Sequence, residues 1–281
     1  MKIIDTYDSI FNVYRDDAFS RKLWENYAKN IYSGLKEKIE KDYLDRLVDT
    51  ADYDKIILPV LNGVCTNKSS VQKAHNSFLE ATENLDKTIR NKFNVDLDVT
   101  IILYLGLCNA AGWATSIHGN KVILLGIEKI VELDWCGKED MAALIYHELG
   151  HIYHSIFEKK KLFYSKKERS LQQLYREGIA MVFEQILCDD ENFFHQNKDG
   201  WLDWCKNNEA LLKKEYLKRL NDNYSVQEFF GDWCSFMEHS DVGYYLGTAF
   251  VRDMMKKYSL EQIAKMSMKT VAAHFYEFAN K

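Results

Sequence analysis

The stretch Glu139-Asp140-Met141-Ala142-Ala143-Leu144-Ile145-Tyr146-His147-Glu148-Leu149-Gly150-His151 decides how this chain is read. Met141, Leu144, Ile145, Glu148, Ile152 and Ile156 recur at three- and four-residue spacing, which predicts one helix over 139–157. Glu139 and Asp140 fall in its first turn, where acidic side chains complement the helix dipole. On such a helix His147 and His151 share a face, so their imidazoles can converge on one metal ion. Glu148 follows the first histidine and can reach a water on that ion. Two ordinary core histidines are the plain alternative, but Glu148 on the core side would then need a partner of its own.

A catalytic zinc ion needs a third protein ligand and an open position for water. His154 is seven residues beyond His147, roughly 10.5 Å along a straight helix at about 1.5 Å per residue, too far to share the ion. The longer pattern H-E-x-x-H-x-x-G-x-x-H also fails, since His154 and Phe157 stand at its Gly and His positions. Glu177 is the better candidate. It lies in a second helix expected over 168–187, on a face marked by Leu171, Leu174, Gly178, Met181 and Val182. A carboxylate in an apolar stripe is costly unless it is paired or bound to a metal. A core bridge from Glu177 to an Arg or Lys stays open as the other explanation. Gly178 beside it would admit the first helix closely, and the charged segment 158–167 reads as a surface connection between antiparallel neighbours.

An H-E-x-x-H helix followed by a helix with its Glu ligand in an E-G-x-A context, Glu177-Gly178-Ile179-Ala180, resembles the gluzincin metallopeptidases of the thermolysin-like clan. Three more pieces resemble a group of bacterial predicted zinc-dependent proteases. These are Leu105 to Gly112, Phe229-Phe230-Gly231-Asp232, and Gly243 to Val251. The resemblance covers about 95–258. It departs from the thermolysin pattern four residues after Glu177, where Met181 replaces an acidic residue. It implies an α+β, zincin-like fold, mostly helical, with a small mixed β-sheet next to the H-E-x-x-H helix. It also implies a strand before that helix that pairs with the substrate backbone, within 110–125.

The implied activity is zinc-dependent peptide hydrolysis. His147, His151 and Glu177 would hold Zn2+ with water in the fourth position, and Glu148 would act as general base. An oxyanion donor is sought among the tyrosines of 243–251. Tyr244 is preferred to Tyr245 because it shares a helical face with Gly247 and Val251, with a packing role for both left open. The alternative function is a non-catalytic, zinc-stabilised binding or regulatory protein. A di-iron carboxylate bundle is excluded, because no histidine but His151 has Glu three residues before it.

Composition agrees with a globular chain. At 281 residues and 47% hydrophobic it can bury a sizeable core, read as an N-terminal helical region over 1–94 and a metallopeptidase domain over 95–281. A net charge of −5 without a basic run argues against nucleic acid or an anionic membrane as main partner, and the resemblance implies a peptide or protein substrate. The residues from Met1 to Asp5 lack the apolar core of a signal peptide, and the apolar stretch 99–114 is broken by Gly106, Asn109 and Gly112. A cytoplasmic protein with six free thiols is the expectation.

Elsewhere the periodicity predicts a helix within 16–47, carried by Leu23, Tyr27, Ile31, Leu35, Ile39, Tyr43 and Leu47, and another over 70–93. Pro59 and Gly63 read as a break near 56–65. Strands are expected over 99–107 and 121–125, with a glycine-bearing turn region over 110–120 that holds a solvent-facing His118. A polar helical stretch to about 223, a helix over 241–257, a short capped helix from Ser259 and a last helix over 268–279 complete the chain.

Overall fold

A computed structural model describes residues 1–46, 53–158, 164–231 and 234–281. The chain divides into two compact units, Met1–Glu148 and Leu149–Lys281. The division falls inside the H-E-x-x-H helix.

The first unit opens with strand β1 (Lys2–Asp5), a single-turn helix α1 (Tyr7–Ile10) and a small hairpin of β2 (Tyr14–Arg15) and β3 (Ala18–Phe19). Helices α2 (Arg21–Ile31) and α3 (Leu35–Arg46) follow where one helix was expected. The apolar stripe runs through the break, but Gly34 between them adopts φ +83°, and a Cβ there would fall 2.4 Å from His118 Nε2. Leu47 lies outside the described residues. Helix α4 (Leu58–Thr66) replaces the expected break, because Pro59 sits in its first turn, where a missing N–H costs nothing. The helix expected over 70–93 is two, α5 (Lys68–Thr82) and α6 (Leu85–Phe93).

Strands β4 (Thr100–Tyr104), β5 (Gly112–Ile117) and β6 (Asn120–Gly126) complete a mixed sheet in the order β1-β4-β6-β5. β1 and β6 both run parallel to β4, and β5 runs antiparallel to β6. The sheet thus takes its first strand from the N-terminal stretch. Central β4 and β6 are buried on both faces, as an Ile- and Leu-rich run requires. The expected turn region over 110–120 is mostly strand. His118 (φ +50°) and Gly119 (φ +84°) form its two-residue turn, the conformation that matches the twist of a tight hairpin, and His118 is solvent-facing as expected.

Helix α2 is pinned over the end of β4 by Trp24 Nε1, which donates to the Leu105 carbonyl at 2.9 Å, and by Tyr27 Oη, which accepts from Leu105 N–H at 2.8 Å. The loop beyond β4 closes around Glu128, at the start of α7 (Ile127–Glu132). Gly106 and Cys108 donate their N–H groups to this carboxylate at 2.8 and 3.1 Å. Glu128 is 1% exposed. Burial pushes its pKa up to about 7, against the opposing pull of the Gly106, Glu128 and Cys108 N–H groups and the Lys129 charge. A carboxyl raised in the folded state holds a proton that the unfolded chain has already lost, so its contribution is full below about pH 4.5 and is lost as pH rises through about 7. That window is worth about 3 kcal/mol. Urea unfolding of wild type and Glu128→Gln at pH 5 and 7.5 should show wild type gaining on the variant by a large part of this amount at the lower pH. A gap independent of pH would show that Glu128 is ionised throughout.

Helix α8 (Lys138–Phe157) begins in the first unit and ends in the second. Helix α9 (Lys166–Cys188) starts on a capping box in which Ser165 and Glu168 satisfy each other's backbone N–H, and it ends on Asp189 at φ +54°. Then come α10 (Trp201–Asn207), α11 (Glu209–Asp222), α12 (Val242–Met255), the Ser259-capped α13 (Leu260–Ala264) and α14 (Met268–Ala279). The core of this unit is aromatic: Phe275 stands edge-on to Tyr216 and Phe250, at centroid distances of 5.8 and 5.3 Å.

Two glycines set the helix spacing here. A Cβ on Gly150 would lie 2.6 Å from Ala180 Cα, and one on Gly178 would lie 2.2 Å from the Gly247 carbonyl oxygen. Gly178 therefore admits α12, and it is Gly150 that lets α8 meet α9. The pairs 150·180, 151·177 and 154·175 show that α8 and α9 are antiparallel, as the short connection implied. All six cysteines are free thiols. Among the described residues no helix is long and apolar enough to cross a membrane.

Candidate metal centre

His147 and His151 stand one turn apart on α8. The close approach at Gly150 brings α9 near enough for Glu177 to reach them. One nitrogen of each imidazole and one Glu177 oxygen all lie within 4.8 Å of one another. His151 Nε2 and Glu177 Oε2 are 3.3 Å apart. His147 is buried, while the other two side chains keep 13% and 18% of their surface exposed.

The donor chemistry fits a divalent ion. Two neutral imidazoles and a carboxylate are ligands of catalytic zinc, and ligand atoms about 2.0–2.2 Å from a tetrahedral ion stand roughly 3.3–3.6 Å apart. The His151–Glu177 separation already has that value, and the others lie within 4.8 Å. Among the described residues this is the one group of three or more His, Cys, Asp or Glu whose ligand atoms converge, and it has three members. Three protein ligands leave a tetrahedral ion one open position.

Glu148 lies outside that group, with its carboxylate laid along β5. Ala114 N–H donates to Glu148 Oε2 at 2.6 Å. A Cβ on Gly112 would fall 2.8 Å from Glu148 Oε1 and 2.7 Å from Leu144 Cδ1, so a larger residue would displace these side chains where the strand crosses this face of α8. Glu148 is 7% exposed. The partner that a carboxylate on the core side demanded is thus a backbone N–H of the sheet.

Of the other histidines, His154 is buried edge-on against Tyr175, at a centroid distance of 5.1 Å, and is not part of the group. Burial, helped by the charges of Arg176 and His151, draws its pKa down to about 3, so it stays neutral. His75 pairs with Asp5 at 2.6 Å and stacks on Tyr7, a structural role.

The two tyrosine candidates separate. Tyr245 donates its hydroxyl to Glu209 Oε2 at 2.7 Å, and burial drives its pKa far above the usual phenol value. It is a packing residue. Tyr244 is half-buried on α12, with its ring against Phe230 at 5.9 Å and His195 at 6.4 Å. Of the other quoted pieces, Asp232 falls outside the described residues.

Three features of this region escaped the sequence. Gly112 and Ala114 sat in what read as a turn. Fully buried Glu184, two turns beyond Glu177, pairs with His195 Nδ1 at 3.1 Å. Its signal was present: it is a second carboxylate in the same apolar stripe. Comparison with known proteins finds no match: no protein-family model, no curated protein and no solved structure.

Proposed function

We propose that this chain is a zinc-dependent peptidase of gluzincin type. The observation that carries the reading is the convergence of His147, His151 and Glu177, a three-ligand set, beside a buried carboxylate, Glu148, that the ligand group does not include. A purely structural site closes its fourth position with another protein ligand, and among the described residues none joins the group.

Zn2+ held by His147, His151 and Glu177 would act as a Lewis acid, lowering the pKa of a bound water to about 7 and polarising a carbonyl. The chain's own residues do the rest. Glu148 takes the proton of the attacking water and hands it to the departing amine, so one carboxylate serves first as base and then as acid. Tyr244 is the proposed donor to the oxygen that gains charge as the carbonyl is attacked. Strand β5, last in the sheet order, offers its outer edge to an extended peptide.

The test is hydrolysis of an unbiased pool of peptides by zinc-reconstituted protein, with the new termini read by mass spectrometry. Cleavage that o-phenanthroline abolishes is the expected outcome. A pool left whole in the presence of zinc, cobalt and manganese would remove the peptidase reading.

A further inference from the structure

We infer that Glu148 is latched by the edge of the sheet, and that an extended peptide adding to that edge displaces it from the strand. The inference rests on the peptidase reading and specifies how substrate would engage its base.

The argument begins with the register of β5 on β6. Gly126 N–H bonds the Ala111 carbonyl, and Trp113, Thr115 and Ile117 continue that hydrogen-bonded series opposite Leu124, Val122 and Asn120. Gly112, Ala114 and Ser116 therefore turn their N–H and C=O groups away from β6, toward the outer edge. An added strand would use those groups. One of them is already engaged, because Ala114 N–H donates to Glu148 Oε2 at 2.6 Å. The side chain lies flat along the strand, with Oε1 and Cγ within 2.8 and 2.9 Å of where a Gly112 Cβ would be.

One N–H cannot serve both partners fully. While it holds Glu148, the Ala114 N–H is committed to Oε2. A peptide carbonyl that takes this N–H displaces Oε2 from the strand, so strand addition and the Glu148 contact compete for one donor. A small amide or ester that cannot reach the edge leaves Glu148 where it lies.

Two measurements test this on zinc-loaded protein. The first is amide hydrogen exchange by NMR without substrate. Ala114 should exchange roughly tenfold faster in Glu148→Ala than in wild type, with Ser116 on the same edge unchanged. The second compares two variants that lack the base, Glu148→Gln and Glu148→Ala, in binding a fluorescent pool of random heptapeptides. The glutamine keeps an acceptor for Ala114 and the alanine does not, so Glu148→Ala should bind about fivefold more tightly. Equal Ala114 exchange, or equal binding by the two variants, overturns the latch and leaves the peptidase reading standing. If neither variant binds the pool while Ala114 exchange responds, the substrate reading fails and the release step fails with it.

Discussion

A Glu148→Gln variant should hold about one zinc ion per chain, as wild type should, and hydrolyse peptides about a thousandfold more slowly. The metal term is unchanged because Glu148 does not belong to the converging group formed by His147, His151 and Glu177. The fold should also survive. Glutamine has the shape of glutamate, and its carbonyl oxygen can still accept the Ala114 N–H at the position Oε2 now occupies. What glutamine cannot do is accept a proton from water, and positioned acid–base groups contribute about 10²–10⁴ in rate. Metal analysis, thermal melting and kcat measured on one preparation decide the point. Wild-type activity in a zinc-replete variant would leave Glu148 as a packing residue and return the chain to the class of zinc-stabilised binding proteins.

How much of this could be read without the fold depends on whether a residue's role is local. The 139–157 periodicity became α8 almost to the residue, and the carboxylate in an apolar stripe at Glu177 came to rest against the two histidines. Both follow from spacing on a single helix. Contacts chosen by a third element were hidden. Gly178 was taken to face α8, yet its neighbour is Gly247 on α12, while Gly150 makes the α8–α9 contact. Spacing shows that a glycine permits close approach and says nothing of what approaches. Likewise Gly34 lies at φ +83° in a break that the apolar stripe runs through, with His118, far along the chain, in the space a side chain would need. β5 read as a turn since Gly112, Ala114 and Ser116 carry little strand propensity. A Cβ on that glycine would press on Leu144 and Glu148. Glu128 looks like any first-turn acid of a short helix, and only the loop wrapped around it makes it a buried group with a pKa of about 7.

The same logic makes Glu177 the residue on which the metal centre stands or falls. Glu177→Ala should weaken zinc binding by more than about 100-fold, since loss of even an outer partner of a zinc ligand costs about 10–100-fold. The effect should also appear in stability. A metal present at about a thousand times its dissociation constant stabilises the folded chain by about 4 kcal/mol, so chelation should lower the melting temperature of wild type by several degrees. The Glu177→Ala protein, already without the ion, should melt at the same temperature with and without chelator. The pair His151–Glu177 is itself only partly buried, so its loss alone should move stability little compared with loss of the ion. Full zinc content in Glu177→Ala would place the third ligand elsewhere and remove the gluzincin reading. A wild-type protein that takes up no zinc, and whose melting ignores chelator, would mean that His147, His151 and Glu177 are held together by helix packing and the His151–Glu177 contact alone.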